Sequence, residues 1–506
     1  MLKRYLFIVF MFCLTNLSQA QKLTRVEILG ARVLEYDQRG SGKVKKLIGD
    51  VKFKQGNTLL YCDSAFLFED SNFVIAYNNV RINDNDSVFL YADYLEYSGD
   101  KKIARLEKNV RMNDNSMNLT CSELNFDMNN NIAFYTAGGK IINKENVLTS
   151  KIGYYYTNFK EFYYRKDVVL VNPNYTMTCD TLKYSTATHI TDFFGPTNIV
   201  SKGDKIYCEN GWYSTDKEIA QFNKNAIVNN KSSKLKADSI YYERKTEFGK
   251  AFRNIELTDT VNKIIIYGDY GELIGKEKRS FVTLKAMAKK IMVNDSMYLF
   301  ADTIFSYQKF KSQKQIVKAY FNAKIFKNDI QAVCDSLVYN YDDSTINLYH
   351  NPILWSGQNQ ITSDTIIMFI NNSKIDSFYL KNNAFIASRE AMKEFNQVKG
   401  KNMKGFFENN KIKFMQVFGN GQSIYFAKEE DTTYIGVNVV DCSEMEFYFK
   451  DNKIDKGKFI TQPDAVFYTL DEIKPDELRL KGFKWQINRR PNIRTVKQRV
   501  KSKKQN

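Results

Sequence analysis

The stretch LLYCDSAFLF, Leu59 to Phe68, sets a thiol at Cys62 beside a carboxylate at Asp63 and a hydroxyl at Ser64 in an apolar frame. A cysteine in such company is the raw material of covalent catalysis, in which a neighbouring base draws off the thiol proton. The acid has counterparts at Asp93, Asp180, Asp238, Asp302, Asp335 and Asp364. Paired carboxylates are also the machinery with which glycosidases cleave polysaccharides. His189 and His350 are the only histidines.

Spacing argues against each of these chemistries. The same phrase returns as MTCDTLKYS (Met177 to Ser185), LKADSIYYE (Leu235 to Glu243), LFADTIFSY (Leu299 to Tyr307) and AVCDSLVYN (Ala332 to Asn340). A nucleophile is not needed five times, and carboxylate catalysis needs one asymmetric pair in a cleft, not equivalent acids at regular intervals. The histidines stand in different copies without cysteine or acid at metal-ligand spacing, and each reads as a loop or surface residue. No Gly-x-Ser-x-Gly, phosphate loop or HExxH occurs. The expectation is a protein that is not an enzyme, with no cofactor and no metal.

Including weaker copies, the acid slot falls at positions 63, 93, 122, 151, 180, 209, 238, 269, 302, 335 and 364. So regular a step, close to thirty residues, marks a stacked repeat. Looser copies near Ala31, Lys401 and Ser443 bring the total to about fourteen.

Each repeat holds two apolar phrases. In the first, Leu235 and Ala237 share one parity while Ile240 and Tyr242 share the other. Strict alternation cannot keep both pairs inside, so the strand gains a residue or turns a corner at Asp-Ser. The seven acids Asp63, Asp93, Asp180, Asp238, Asp302, Asp335 and Asp364 are therefore structural corner acids. The second phrase runs through Asn-Val or Asn-Ala, as in VIAYNNVRIND (Val74 to Asp84) and IARLEKNVRMND (Ile103 to Asp114). Asn, Asp and Gly gather between phrases, where tight turns belong. Two short strands, a corner and a turn fill the repeat. The fold class is all-β: an elongated β-jellyroll, or two-sheet β-solenoid, with side chains of both sheets filling the space between.

The N-terminus, MLKRYLFIVFMFCLTNLSQAQ, has Lys3 and Arg4, an apolar run, and Ser18-Gln19-Ala20 before Gln21. It reads as a cleaved secretory signal peptide over residues 1–20. Exported chains can form disulfides, yet Cys62, Cys121, Cys179, Cys208, Cys334 and Cys442 all occupy one slot of the repeat, held elsewhere by Ala92, Ser150, Ala237 or Gly268. The slot asks for a small residue, and cysteine serves as a small apolar one. Only Cys179 and Cys208 fall in consecutive repeats, the one pair within bridging reach.

Phrases such as GDVKFKQGNTLLYCDSAFLF and NNVRINDNDSVFLYADYLEYSGDKKIARLEKNVRMND resemble the OstA/LptA-like proteins. Asn79-Val80, Ala92-Asp93, Leu95 and Tyr97 carry one copy of that family's repeat, and Asn109-Val110 begin the next. The resemblance is best from about Val51 to Phe369. It implies a jellyroll of the lipopolysaccharide-transport type, with acyl chains in a greasy groove. The chain is longer than a compact periplasmic member and lacks the long barrel of the outer-membrane relative, so it looks like a long, barrel-free OstA-like protein.

Two sheets left unclosed along one edge would present Val80, Ile82, Leu90, Leu95, Val110, Met112, Leu119 and Leu124 as candidates to line a groove for lipid tails; the competing reading is that they pack on each other. Burying a methylene is worth about 0.8 kcal/mol, so a few acyl chains suffice for affinity. Open end strands invite pairing with other jellyroll-type transport proteins, or self-association. Lys+Arg 74 against Asp+Glu 57 give +17, which suits the anionic phosphates of lipid A. The stretch from Leu480 has no acid and reads as a basic, mobile tail.

Together these give a signal peptide over 1–20, OstA-like repeats over 21–395, looser β repeats over 396–479 and a tail over 480–506. The expected function is that of a periplasmic lipopolysaccharide-binding bridge in outer-membrane assembly, possible outer-membrane association included, with lipopolysaccharide or lipid A as cargo and no nucleic-acid partner. The alternatives are a structural β-solenoid without lipid cargo, an outer-membrane β-barrel and a polysaccharide-acting β-solenoid enzyme.

Overall fold

The computed structural model describes residues 25–494, apart from 38–42, 115–116, 202, 293–294, 310–313, 372–373, 392–393, 409–410, 430–432, 451–452 and 493. The signal peptide expected over 1–20 and the end of the basic tail lie outside the described residues. The protein is all-β: among the described residues, antiparallel strands make up nearly the whole architecture, with short 3-10 turns such as Gly275–Glu277 and Pro475–Leu478. No helix of the described residues is long and apolar enough to cross a membrane. The chain divides into two compact units, residues 1–202 with 210–216, and residues 203–209 with 217–506.

In the first unit the strands Val44–Gln55, Thr58–Phe68, Phe73–Asp84, Val88–Ser98, Ile103–Asn113 and Asn118–Asp127 pair in chain order. Each runs ten to twelve residues and bends in the middle. The two short strands expected per repeat are thus two long ones, each with its own corner. In Thr58–Phe68 the buried residues are Leu60 and Cys62 before the corner and Ala65 and Leu67 after it, so parity switches at Asp63-Ser64.

The extra residue that accommodates the switch sits in the flanking strands. Opposite Asp63 and Asp93 lie residue pairs in left-handed backbone, Gly49-Asp50 (φ 76°, 47°), Asn78-Asn79 (58°, 48°) and Lys108-Asn109 (63°, 52°), each coinciding with a register shift. This is a β-bulge repeated on every second strand, and it bends the sheet. Gly and Asn dominate because a left-handed residue with a Cβ is strained, asparagine least among the polar residues.

The bend turns the apolar side of both strand halves into one interior. One inward row reads Phe53, Leu60, Ile82, Leu90, Met112, Leu119, Ile141 and Leu148, opposite one another on successive strands. The facing half supplies Leu47, Ala65, Ala76, Leu95, Leu106 and Leu124. Such uninterrupted cross-strand pairing of aliphatic side chains is what stabilises a sheet face.

The second unit follows the same plan. One inward row is Ala319, Leu337, Leu348, Ile366, Leu380, Met403, Val417 and Met445, within one continuous core. The repeat loosens after position 364 because the strands lengthen, to 16 residues in Lys374–Arg389, 14 in Phe395–Glu408, 18 in Lys411–Lys428 and 17 in Tyr434–Lys450. Tyr242, read from parity as an inward residue, is 37% exposed. Its cross-strand neighbours are Ala220 and Gly249, too small to cover it.

Residues from Leu478 to Arg490 are docked against the second unit. Buried Gln397 donates from Nε2 to the Leu478 carbonyl (2.9 Å) and accepts at Oε1 from the Leu480 N–H (3.0 Å). Gln360 does the same with the Lys484 carbonyl (2.6 Å) and the Gln486 N–H (2.7 Å). Arg490 Nε donates to Gln331 Oε1 (2.6 Å), while Phe483 and Trp485 pack on Phe395. The stretch read as a mobile tail from Leu480 is therefore a strap as far as Arg490. Its outward-facing glutamine partners become visible only once the strands are paired.

Candidate functional site

Three sets of residues bear on function: the interior, the corners and the seam opposite the corners. All eight groove candidates, Val80, Ile82, Leu90, Leu95, Val110, Met112, Leu119 and Leu124, are between 0% and 4% exposed. Val80, Ile82, Leu90, Val110, Met112 and Leu119 belong to one half of the bent sheet, Leu95 and Leu124 to the facing half. The two sets lie on opposite walls of a closed interior.

The walls are continuous backbone at the corners, and across the opposite seam side chains reach from one wall to the other. Tyr97 Oη donates to Gln55 Oε1 (2.5 Å), and Gln55 Nε2 donates to the Gly99 carbonyl (2.8 Å). Tyr155 donates to Asp114. A crevice of about 10 Å³ lies at this seam, lined by Phe53, Gln55, Thr58, Leu60, Ile82, Tyr97 and Met128 among others. It has room for about one water molecule. Burial pushes the Tyr97 phenol well above its ordinary pKa, with Asp84 adding to the effect, so the seam tyrosine stays a neutral donor.

The corner acids lie outside the core. Asn79 Nδ2 donates to Asp63 Oδ2 (2.8 Å), Asn109 to Asp93 (2.6 Å), Asn254 to Asp238 (3.1 Å), Asn322 to Asp302 (3.1 Å) and Asn383 to Asp364 (3.1 Å). Asp180 accepts from the Thr181 hydroxyl (2.9 Å) and Asp335 from that of Ser336 (2.7 Å). The five carboxylates bonded to asparagine tie down a bulge residue of the neighbouring strand, and the acids are spaced out along the corners. His350 is itself a left-handed corner residue (φ 61°), and His189 Nδ1 lies 3.1 Å from Asp216 Oδ1 at the surface. Among the described residues, no three His, Cys, Asp or Glu side chains converge as a metal site.

Among the described residues, Cys62, Cys121, Cys179, Cys208, Cys334 and Cys442 are thiols not joined in disulfides. Burial, reinforced by the neighbouring Asp63 charge, pushes Cys62 up to about 12. Burial likewise raises Cys121, Cys208 and Cys334 to about 12. A nucleophilic cysteine needs the reverse shift. The slot is small for steric reasons: a Cβ on Gly268 would stand 2.2 Å from Val282 Cγ2.

No curated protein sequence matches the chain. Among solved structures, it resembles LptH from Pseudomonas aeruginosa, the LptA-homologous periplasmic component of a lipopolysaccharide transport device. Identity is 16%, the TM-score is 0.20, and the match covers 21% of this chain and 82% of that one. The WD40 domain of SCAP from fission yeast matches at 9% identity and a TM-score of 0.09, covering 84% of this chain and 98% of that one. Likenesses at these TM-scores carry no weight for the fold. The family model described as OstA-like protein matches residues 23–180 and 175–238, spanning the bent strands, corner acids and seam of the first unit, and this part of the chain is similar to that family.

Proposed function

We propose that the protein is a non-enzymatic, periplasmic lipopolysaccharide-binding bridge contributing to outer-membrane assembly, and that its cargo's acyl chains enter between the two walls. The observation that carries this is the unequal closure of the interior. Continuous backbone joins the walls at the corners, whereas Tyr97, Gln55 and Gly99 meet across the seam through a few hydrogen bonds. A net hydrogen bond is worth about 1 kcal/mol, so parting the seam costs little beside the roughly 0.8 kcal/mol gained per buried methylene. Leu90, Met112, Leu119, Leu95 and Leu124 then exchange contacts with each other for contacts with lipid tails.

The OstA-like match over residues 23–238 supports the same reading. Each unit also offers an unpaired strand edge. The strands Glu27–Gly30 and Val33–Asp37 pair with Val44–Gln55 alone among the described residues, and Leu29 and Leu34 beside that free edge are exposed. In the second unit, Asp464–Tyr468 likewise pairs on one side, with Val466 and Phe467 exposed. Such edges fit strand addition by another jellyroll-type protein or a second copy.

Diazirine amino acids placed at Leu95 and Leu124 test the reading in cells. Capture of lipopolysaccharide at both positions, increased by Gln55→Ala, is the expected result. Silence at both, with folded protein at normal abundance, leaves a structural β-solenoid without cargo as the better account.

A further inference from the structure

The outward faces of the first unit's two walls differ in charge organisation. On the wall carrying Leu95 and Leu124, several cations are paired with carboxylates. Arg105 pairs with Glu107 (2.8 Å) and Glu123 (3.2 Å), Lys45 with Glu69 (2.5 Å) and Lys183 with Glu161 (2.8 Å).

The opposite wall is built otherwise. Following cross-strand partners from Val44–Gln55 onward, one outward row reads Lys52, Tyr61, Arg81, Tyr91, Arg111, Thr120, Lys140 and Thr149. The neighbouring row reads Lys54, Leu59, Asn83, Phe89, Asn113, Asn118, Ile142 and Val147. Neither row contains a carboxylate over eight strands; Asp86 and Glu145 are in turns beyond the strand ends. Lys52, Arg81, Arg111 and Lys140 are exposed. The contacts of the first three are with tyrosine faces: Lys52 Nζ is 5.9 Å and the Arg81 guanidinium 4.6 Å from the Tyr61 ring centre, and Arg111 is 5.7 Å from that of Tyr91. Part of the row borders an open pocket of about 500 Å³ lined by Phe89, Tyr91, Arg111, Asn113, Asn118 and Thr120 among others.

Cations thus recur on alternate strands, roughly 9–10 Å apart, with half-buried Tyr61 and Tyr91 between the first three and Thr120 before Lys140. A guanidinium stacked on a ring keeps its outer N–H groups free for a phosphate or carboxylate. The ring beside it offers an apolar face of the kind the C–H side of a sugar packs against. A row made only to deter edge aggregation needs charge but not rings in register, and a membrane-inserting face needs large protruding apolar groups. Ile142 is the one large aliphatic residue more than a third exposed in these eight-strand rows.

We propose that this face, from Lys52 through Arg81 and Arg111 to Lys140, binds a phosphorylated saccharide along its cations and the tyrosines set between the first three. The inference rests on the reading of the cargo as lipopolysaccharide, whose sugar portion then lies outside the jellyroll while its acyl chains lie inside.

The test is calorimetric titration of the full-length mature chain with phosphorylated oligosaccharide freed of acyl chains from lipopolysaccharide, with the same oligosaccharide after phosphatase treatment, and with phosphatidylglycerol vesicles. The paired substitution Arg81→Gln and Arg111→Gln removes two charge-assisted contacts and should weaken oligosaccharide binding roughly tenfold or more. Arg105→Gln, on the wall of paired cations, should leave it within about twofold. All three substituted positions are exposed, and unchanged melting curves verify that the variants are folded.

The proposal is overturned if the wild type does not bind the oligosaccharide, if phosphatase treatment makes no difference, or if the paired variant binds as well as the wild type. It is equally overturned if vesicles bind more tightly than the oligosaccharide and lose binding in the paired variant, which would make the face a membrane dock. The diazirine experiment keeps the two readings apart. Oligosaccharide binding without capture at Leu95 and Leu124 removes the interior cargo site alone, and capture without oligosaccharide binding removes the outer face alone.

Discussion

Asn109 shows how much one side chain does at a corner. Its backbone is left-handed (φ 52°), and its amide donates to Asp93 at 2.6 Å. Alanine there loses the hydrogen bond and takes on left-handed strain, about 1–2 kcal/mol together; glycine loses only the bond. Urea unfolding should therefore rank wild type above Asn109→Gly above Asn109→Ala, and equal midpoints for the two variants would show that the corner carries no strain. The carboxylate half of this device is legible in the sequence, because the acid recurs beside a small residue and a hydroxyl. The asparagine half is legible only in retrospect. Asn79, Asn109, Asn225 and Asn254 bond to acids at a constant separation of 16 residues, a spacing with meaning only once the two strands are known to be neighbours. The cysteines were readable as small residues for a simpler reason, since Ala and Gly replace them in other copies.

Among the elements, the strap from Leu478 to Arg490 was the least legible. Its sequence is basic, its apolar residues Leu480, Phe483 and Trp485 follow no strand period, and its anchors Gln331, Gln360 and Gln397 are indistinguishable from ordinary surface residues of a strand. What holds it is specific to the folded state: two glutamine amides acting as short stretches of strand, and Arg479 stacked on Phe395 and Phe483 at 5.0 and 4.9 Å. Replacing Phe483 and Trp485 together by alanine should cost the docked strap roughly 3 kcal/mol. Limited trypsin digestion reads this directly. Lys481 and Lys484 resist cleavage in the wild type and are cut early in the variant, and identical digestion patterns would mean that the glutamines alone anchor the strap. Strands were far easier to read, since the inward positions of Val88–Ser98 or Ile103–Asn113 follow from alternation with a single interruption. Whether facing rows touch or stand apart is set by the spacing of the walls, which alternation does not encode.

At the scale of the whole molecule, the buried thiols and phenols give stability a defined pH dependence. Cys62, Cys121, Cys208 and Cys334 are raised from 9.0 to about 12 by burial, and Tyr135 is raised from 10.0 to about 12, also by burial. Above pH 9 the unfolded chain releases these protons while the folded chain keeps them, so stability falls as pH rises through the window from 9 to 12. Well below pH 9 the thiols contribute no slope. The loss is up to about 1.4 kcal/mol per thiol per pH unit. Urea midpoints at pH 7.5, 9 and 10.5 should fall mainly across the last interval, less steeply in Cys62→Ala; a flat profile would place these thiols in water. The order of pairing has a further consequence. Among the described residues, every ladder joins strands no more than three places apart in the chain, so each arriving hairpin finds its template already laid down by the segment just before it. A polypeptide threaded N-terminus first through a translocation channel would fold as it emerges, without waiting for a distant partner. One halted midway would be left with a sticky last strand, a ready seed for aggregation.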